Sequence, residues 1–77
     1  MKKIGNFLFV EQWFKEDSPR PTIISINTIA YIRATNICEN GIRYGEHTVI
    51  ELTNDTKIAL TGEHVDNIVD LSKLLNQ

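Results

Sequence analysis

The sequence predicts an α+β fold: a mostly antiparallel twisted sheet of about five strands, with one C-terminal helix packed on one face. Three observations carry that prediction. Runs of β-branched and aromatic residues recur between Phe7 and Thr61, Asn40-Gly41 is a strong hairpin signal, and only the stretch from Val65 to Leu75 repeats its apolar residues at helical spacing.

A chain of 77 residues holds one domain, residues 1–77, and one modest core. At this size folding removes roughly 60–65% of the unfolded chain's surface from water, and a lone core supplies only a few kcal/mol. The single cysteine, Cys38, excludes an internal disulfide, and with only His47 and His64 beside it the chain lacks a four-ligand structural zinc set. No cofactor is expected. Self-association is the stabilising device left, so the expected partner is protein, foremost a second copy. Eight Lys and Arg against ten Asp and Glu give a net charge of −2, which disfavours nucleic acid as a partner. Met1-Lys2-Lys3 imitates the basic start of a signal peptide, but the apolar run Phe7-Leu8-Phe9-Val10 stops at Glu11. With no stretch long enough to enter a membrane and one unpaired thiol, the expected address is cytoplasmic.

In chain order, Phe7 to Phe14 reads as the first strand, apolar on both parities at its start and so covered on both sides. The segment Lys15-Glu16-Asp17-Ser18-Pro19-Arg20-Pro21 reads as a loop, because two prolines cannot donate to a ladder. Residues 22–26 form a short strand, and Asn27-Thr28 bends the chain into a strand over 29–37. A type I′ turn at Asn40-Gly41 sets Glu39 against Ile42, from which Ile29 faces Leu52, Tyr31 faces Ile50, Ala34 faces His47 and Ile37 faces Tyr44. Gly45 is the candidate bulge that would shift this pairing by one. Residues 47–53 alternate cleanly, and 56–61 repeat the pattern with Ile58 and Leu60 inward. A three-residue turn, Asn54-Asp55-Thr56, then sets Thr53 against Lys57.

The helix starts after Thr61, whose hydroxyl is the expected cap, and runs to about Leu75 with a stripe of Val65, Ile68, Leu71 and Leu75 and Val69 at its rim. It is predicted to lie across Ile29, Tyr31, Ile50, Leu52, Ile58 and Leu60. The opposite face, Ala30, Ile32, Ala34, Cys38, His47, Val49 and Ala59, is small and half apolar. Either the Phe7 to Phe14 strand or a second protomer is expected to cover it.

The chemistry-bearing residues point away from catalysis and from a small-molecule substrate. Cys38 and His47, the one nucleophile and base combination, fall about two residue pairs apart across the hairpin, too far for a direct hydrogen bond. Glu16-Asp17 and Asp66 with Asp70 lie in a solvated loop and on an outer helix face. His64 falls in the first helical turn, and the four scattered glycines form no phosphate loop. The expected function is a small non-enzymatic protein-binding or regulatory accessory module acting as a homo-oligomer. Its contact surface would comprise Trp13, Phe14, Ile32, Val49 and Ala59. The alternative is a single-stranded nucleic-acid-binding module using Tyr31, Arg33, Arg43, Tyr44 and Lys57. The predicted register opposes it by placing Tyr31 and Tyr44 beneath the helix.

The order Ile24-Ser25-Ile26-Asn27, Ile29-Ala30-Tyr31-Ile32, Thr48-Val49-Ile50-Glu51-Leu52-Thr53-Asn54, then Glu63-His64-Val65 leading a striped helix, resembles the small FlbD/SwrD-type flagellar accessory proteins. The resemblance spans residues 24–75. It implies a non-enzymatic cytoplasmic accessory factor that works through protein contacts, with no catalytic residues to carry over. Three departures accompany it: Asp55 stands where that family usually has glycine, residues 36–45 are an extra excursion, and the first twenty residues have no counterpart.

Overall fold

The computed structural model describes residues 1–77 and is α+β, with six strands in two three-stranded antiparallel sheets and one C-terminal helix. The first sheet has the order β1 (Lys2–Ile4), β2 (Phe7–Phe14), β3 (Asp17–Ser25). A short 3-10 turn, Ile26–Thr28, leads to the second, with the order β4 (Ile29–Glu39), β5 (Ile42–Leu52), β6 (Lys57–Ala59), followed by α1 (His64–Leu75). A single antiparallel bridge, Gln12 to Leu60, joins the two sheets, and the Thr61 amide donates to the Glu11 carbonyl beside it.

The loop expected over residues 15–21 is instead mostly strand. Only Lys15 and Glu16 turn, and β3 carries both prolines, with Pro21 opposite Glu11. The physical reason is position: β3 pairs with β2 alone, and an edge strand tolerates residues whose missing N–H would face solvent. Asn40-Gly41 forms its turn as expected, with φ of +54° and +79°.

The hairpin register agrees with expectation at its two ends and departs between them. Glu39 opposes Ile42, Cys38 opposes Arg43 and Ile29 opposes Leu52, but Tyr31 opposes Glu51, not Ile50, and Ile37 opposes Gly45, not Tyr44. Tyr44 is an extra residue on β5, made possible by Gly45 at φ +91°, and Ala30 is the compensating extra residue on β4. Between these bulges every side chain of β4 exchanges faces relative to its expected partner. Ile32, paired with Ile50, therefore points to the core and Tyr31 points away. His47 likewise opposes Thr35, not Ala34.

At the other hairpin Ile50 opposes Ile58 and Glu51 opposes Lys57, so Thr53 does not face Lys57. The Leu52 amide donates to Thr56, leaving Thr53-Asn54-Asp55 as the three-residue loop, one position earlier than expected. Asp55 sits at φ +69°, the left-handed position that ends such a loop.

The core is one cluster drawn from all three layers: Leu8, Val10 and Ile24 from the first sheet, Ile50, Ile58 and Leu60 from the second, and Leu71 from α1. Ile26, Ile29, Ile32, Leu52 and Leu74 pack around it. Leu8 and Val10 of β2 thus pack on the helix side of the second sheet, while Trp13 near its end reaches His47 on the Val49 and Ala59 face. The helix stripe is rotated from its expected position, since Leu71 is buried and Leu74 packs on the core while Val65 and Val69 are exposed. Its N-cap is Glu63 without a side-chain bond, and the Thr61 carbonyl accepts from the Asn67 side chain at 2.8 Å.

Candidate interaction surfaces

Strand alternation gives the first sheet an outward face built from Lys2 and Ile4 on β1, Phe7, Phe9 and Glu11 on β2, and Pro21 and Ile23 on β3. Leu8, Val10 and Ile24, on the opposite parity, hold the sheet to the core. Ile4, Phe7 and Ile23 are 55%, 51% and 60% exposed, values unusual for side chains that gather on one sheet face. The Lys2 ammonium stands 5.6 Å from the centre of the Phe9 ring. Beside the apolar strip lies a shallow groove of about 520 Å³, lined by Met1, Lys2, Phe9, Glu11, Pro19 and Pro21 among others.

The outward face of the second sheet has a different chemistry. Its rows are Tyr31, Glu51 and Lys57, then Arg33, Val49 and Ala59, then Thr35 and His47. Glu51 is buried beneath its neighbours: an Arg33 guanidinium nitrogen lies 3.6 Å from Glu51 Oε2, and Arg33 also covers the Tyr31 ring at 5.0 Å. Glu51 Oε2 has no hydrogen-bond donor of its own. The neighbouring Glu51 carboxylate, followed by desolvation, raises the pKa of the Tyr31 phenol above its ordinary value.

At the seam between the sheets sits an aromatic knot. Trp13 stacks on His47 with ring centres 4.3 Å apart and meets Tyr44 edge-on at 5.6 Å. His47 Nδ1 lies 3.0 Å from the Leu60 carbonyl oxygen and Nε2 lies 3.2 Å from that of Tyr44. The ring thereby sits between the end of β6 and the bulge of β5, and a neutral imidazole donates its one N–H to one of these carbonyls. Elsewhere, Lys15 Nζ pairs with Glu39 at 2.6 Å and the His64 ring meets Glu46 at 2.9 Å.

The residues expected to form one contact surface are therefore dispersed. Trp13 is half-buried in the knot, Phe14 is half-buried with the Arg20 guanidinium over its ring, Ile32 packs on the core, Val49 is buried, and Ala59 is half-buried beside it. Of the nucleic-acid set, Tyr31, Arg33 and Lys57 come together on one face, because the bulges free Tyr31 from the helix side. Tyr44 is held by Trp13, and Arg43 lies beside the hairpin tip opposite Cys38. Reading residues 22–26 as a separate strand behind a loop hid the outward face of the first sheet. The apolar character of Phe7 and Phe9 on the parity opposite Leu8 and Val10 points to a cover on that face as well, but the structure leaves it open, with Phe7 51% exposed.

No helix is long and apolar enough to cross a membrane, and no group of three or more His, Cys, Asp or Glu side chains is placed to hold a metal ion. No family model, no curated protein and no solved structure matches the chain.

Proposed function

We propose that this chain is a non-enzymatic accessory module that acts through protein contacts and assembles with a second copy through the outward face of its first sheet. The observation that carries the reading is the exposed apolar strip of Ile4, Phe7 and Ile23, continuous with Phe9, on a chain whose buried core cluster holds only seven residues. Stacking two such strips face to face adds the apolar burial that so small a core lacks. Lys2 and Glu11 flank the strip, so a two-fold copy brings the cation of one protomer toward the carboxylate of the other. The resemblance to FlbD/SwrD-type accessory proteins supports the same class of function. Sedimentation velocity tests it. The wild-type chain is expected to sediment as a dimer or larger, and Phe7→Asp to sediment as a smaller species than the wild type while the circular dichroism spectrum is kept. A wild-type monomer at every concentration rejects the reading.

A second reading rests on Tyr31, 46% exposed on the same face as Arg33 and Lys57. In this reading the face stacks single-stranded nucleic acid. Fluorescence anisotropy of a labelled oligonucleotide would then show salt-dependent binding that Tyr31→Ala and Lys57→Ala weaken. The Glu51 carboxylate at the centre of that face and the engagement of Arg33 with it favour the protein reading.

A further inference from the structure

The four outer strands of the two sheets differ in how their free edges are protected, and β6 is only three residues long. β1 is three residues long, and β3 carries Pro19 and Pro21. β4 has eleven residues, pairs only with β5, and contains neither proline nor lysine. A long edge with unpaired backbone groups is a template for another strand.

Which groups are free follows from the turn. A two-residue type I′ hairpin makes Glu39 and Ile42 a hydrogen-bonded pair, and alternation along β4 then directs the N–H and C=O of Ile37, Thr35 and Arg33 to β5. The extra residue Tyr44 lies on β5, so it leaves the alternation of β4 intact. Ala34, Asn36 and Cys38 accordingly turn their backbone groups to solvent, and all three are exposed. Two of those side chains are small, which lets a neighbouring strand approach.

We infer that β4 pairs antiparallel with β4 of a second copy about a two-fold axis at Asn36, joining two second sheets into one continuous six-stranded sheet. In that register the free backbone groups of Ala34 meet those of Cys38 in the other copy, and Asn36 meets itself. Thr35 falls opposite Ile37, and Arg33 falls opposite Glu39 twice, which sets the Arg33 and Glu51 contact of one copy beside the Lys15 and Glu39 pair of the other at each end. The register also keeps the two Cys38 thiols apart. A second copy is the committed occupant because one sequence supplies both the free edge and its charge complement. The inference rests on the reading that the chain acts by self-association, but it uses a different surface, so the two stand or fall separately. Two two-fold contacts on one chain extend a dimer to a tetramer or larger array.

The test combines sedimentation velocity with amide hydrogen exchange over a wide concentration range. In the wild-type chain the amides of Ala34, Asn36 and Cys38 are expected to gain protection with concentration. Those of Thr35 and Ile37, already bonded to β5, are expected to stay unchanged. Phe7→Asp should leave a dimer that retains this alternating pattern. Adding Asn36→Pro, which blocks the edge as the prolines block β3, should leave a monomer. An oligomer that Phe7→Asp alone reduces to monomer, with β4 exchange independent of concentration, overturns the inference and spares the first-sheet reading. A wild-type monomer throughout overturns both. If Asn36→Pro loses its circular dichroism signal, the wild-type exchange pattern decides alone.

Discussion

The two sheets solve the problem of an outer face in opposite ways. The first leaves its outward face apolar, with Ile4, Phe7 and Ile23 open to solvent, and closes its long edge with two prolines. The second covers its outward face with a web of Tyr31, Arg33 and Glu51 and leaves its long edge open. A small chain thus leaves one unpartnered surface per sheet, a face in one and an edge in the other. The core beneath them is shared.

The largest expected effects test whether that shared core is one cooperative unit. Leu8 and Ile50 come from different sheets and are both fully buried. Leu8→Ala and Ile50→Ala are each expected to cost about 2–5 kcal/mol in urea unfolding, with a single transition in both variants. A biphasic curve for either would show that the sheets unfold separately. The seam comes next. His47→Ala removes the single N–H that a neutral ring donates to one of the two carbonyls, Leu60 or Tyr44, an expected loss of about 1–3 kcal/mol. It also uncovers one side of Trp13, so the indole emission should shift to the red in the folded state. An unchanged spectrum and melting curve would remove the knot from the account of how the sheets are held together.

A gain is expected at the loop between β5 and β6. Asp55 occupies a left-handed conformation that costs most side chains about 1–2 kcal/mol and costs glycine nothing. Asp55→Gly should stabilise the second sheet by up to about 1 kcal/mol, the added freedom of the unfolded chain offsetting part of the relief. Thermal unfolding would register it as a rise in Tm.

The smallest effects separate the sheets by pH. In β3 the Asp17 carboxyl is held below its ordinary pKa by the Ser18 backbone N–H and by Arg20. A carboxyl depressed in the fold contributes stability above its unfolded pKa and loses it as pH falls through the folded value. Tyr31 in β4 is raised, chiefly by Glu51, so its contribution is present below the unfolded phenol pKa and lost as pH rises through the folded one. Acid should therefore loosen the Asp17 turn while alkali loosens the Tyr31 web. Both groups are on the surface, where solvent screens them, so both effects are small. Two-dimensional NMR titrations of wild type, Asp17→Asn and Tyr31→Phe would assign each transition, and identical alkaline profiles for wild type and Tyr31→Phe would reject the second assignment.

What was legible in the sequence follows from how local each signal is. Asn40-Gly41 needs only its own backbone preference to be read, and the alternation of residues 47–53 and the helix ending at Leu75 need only periodicity. The prolines of β3 misled because their effect depends on whether a second neighbour exists, which is a property of the sheet and not of the segment. Periodicity alone selects a helix stripe of Val65, Ile68, Leu71 and Leu75, yet the contact with the strands takes Leu71 and Leu74 and turns Val65 outward. The candidate surfaces depended most on register. The expected contact set counted Ile32 as outward and the expected objection to the nucleic-acid set counted Tyr31 as inward, and the same pair of bulges reverses both.

Those bulges behave like a compensated frameshift. Tyr44 advances β5 by one place against β4, and Ala30 restores the count at the far end, so the alternate reading frame is confined to the ladder between them. Deleting Tyr44 or Ala30 outright leaves every other partner in place, because neither residue is paired. What shifts the frame is closing a bulge while its residue stays in the chain, which sets Tyr31 against Ile50 and turns Ile32 away from the core. Gly45, whose φ of +91° lets the first bulge form, therefore decides which side of β4 meets the helix.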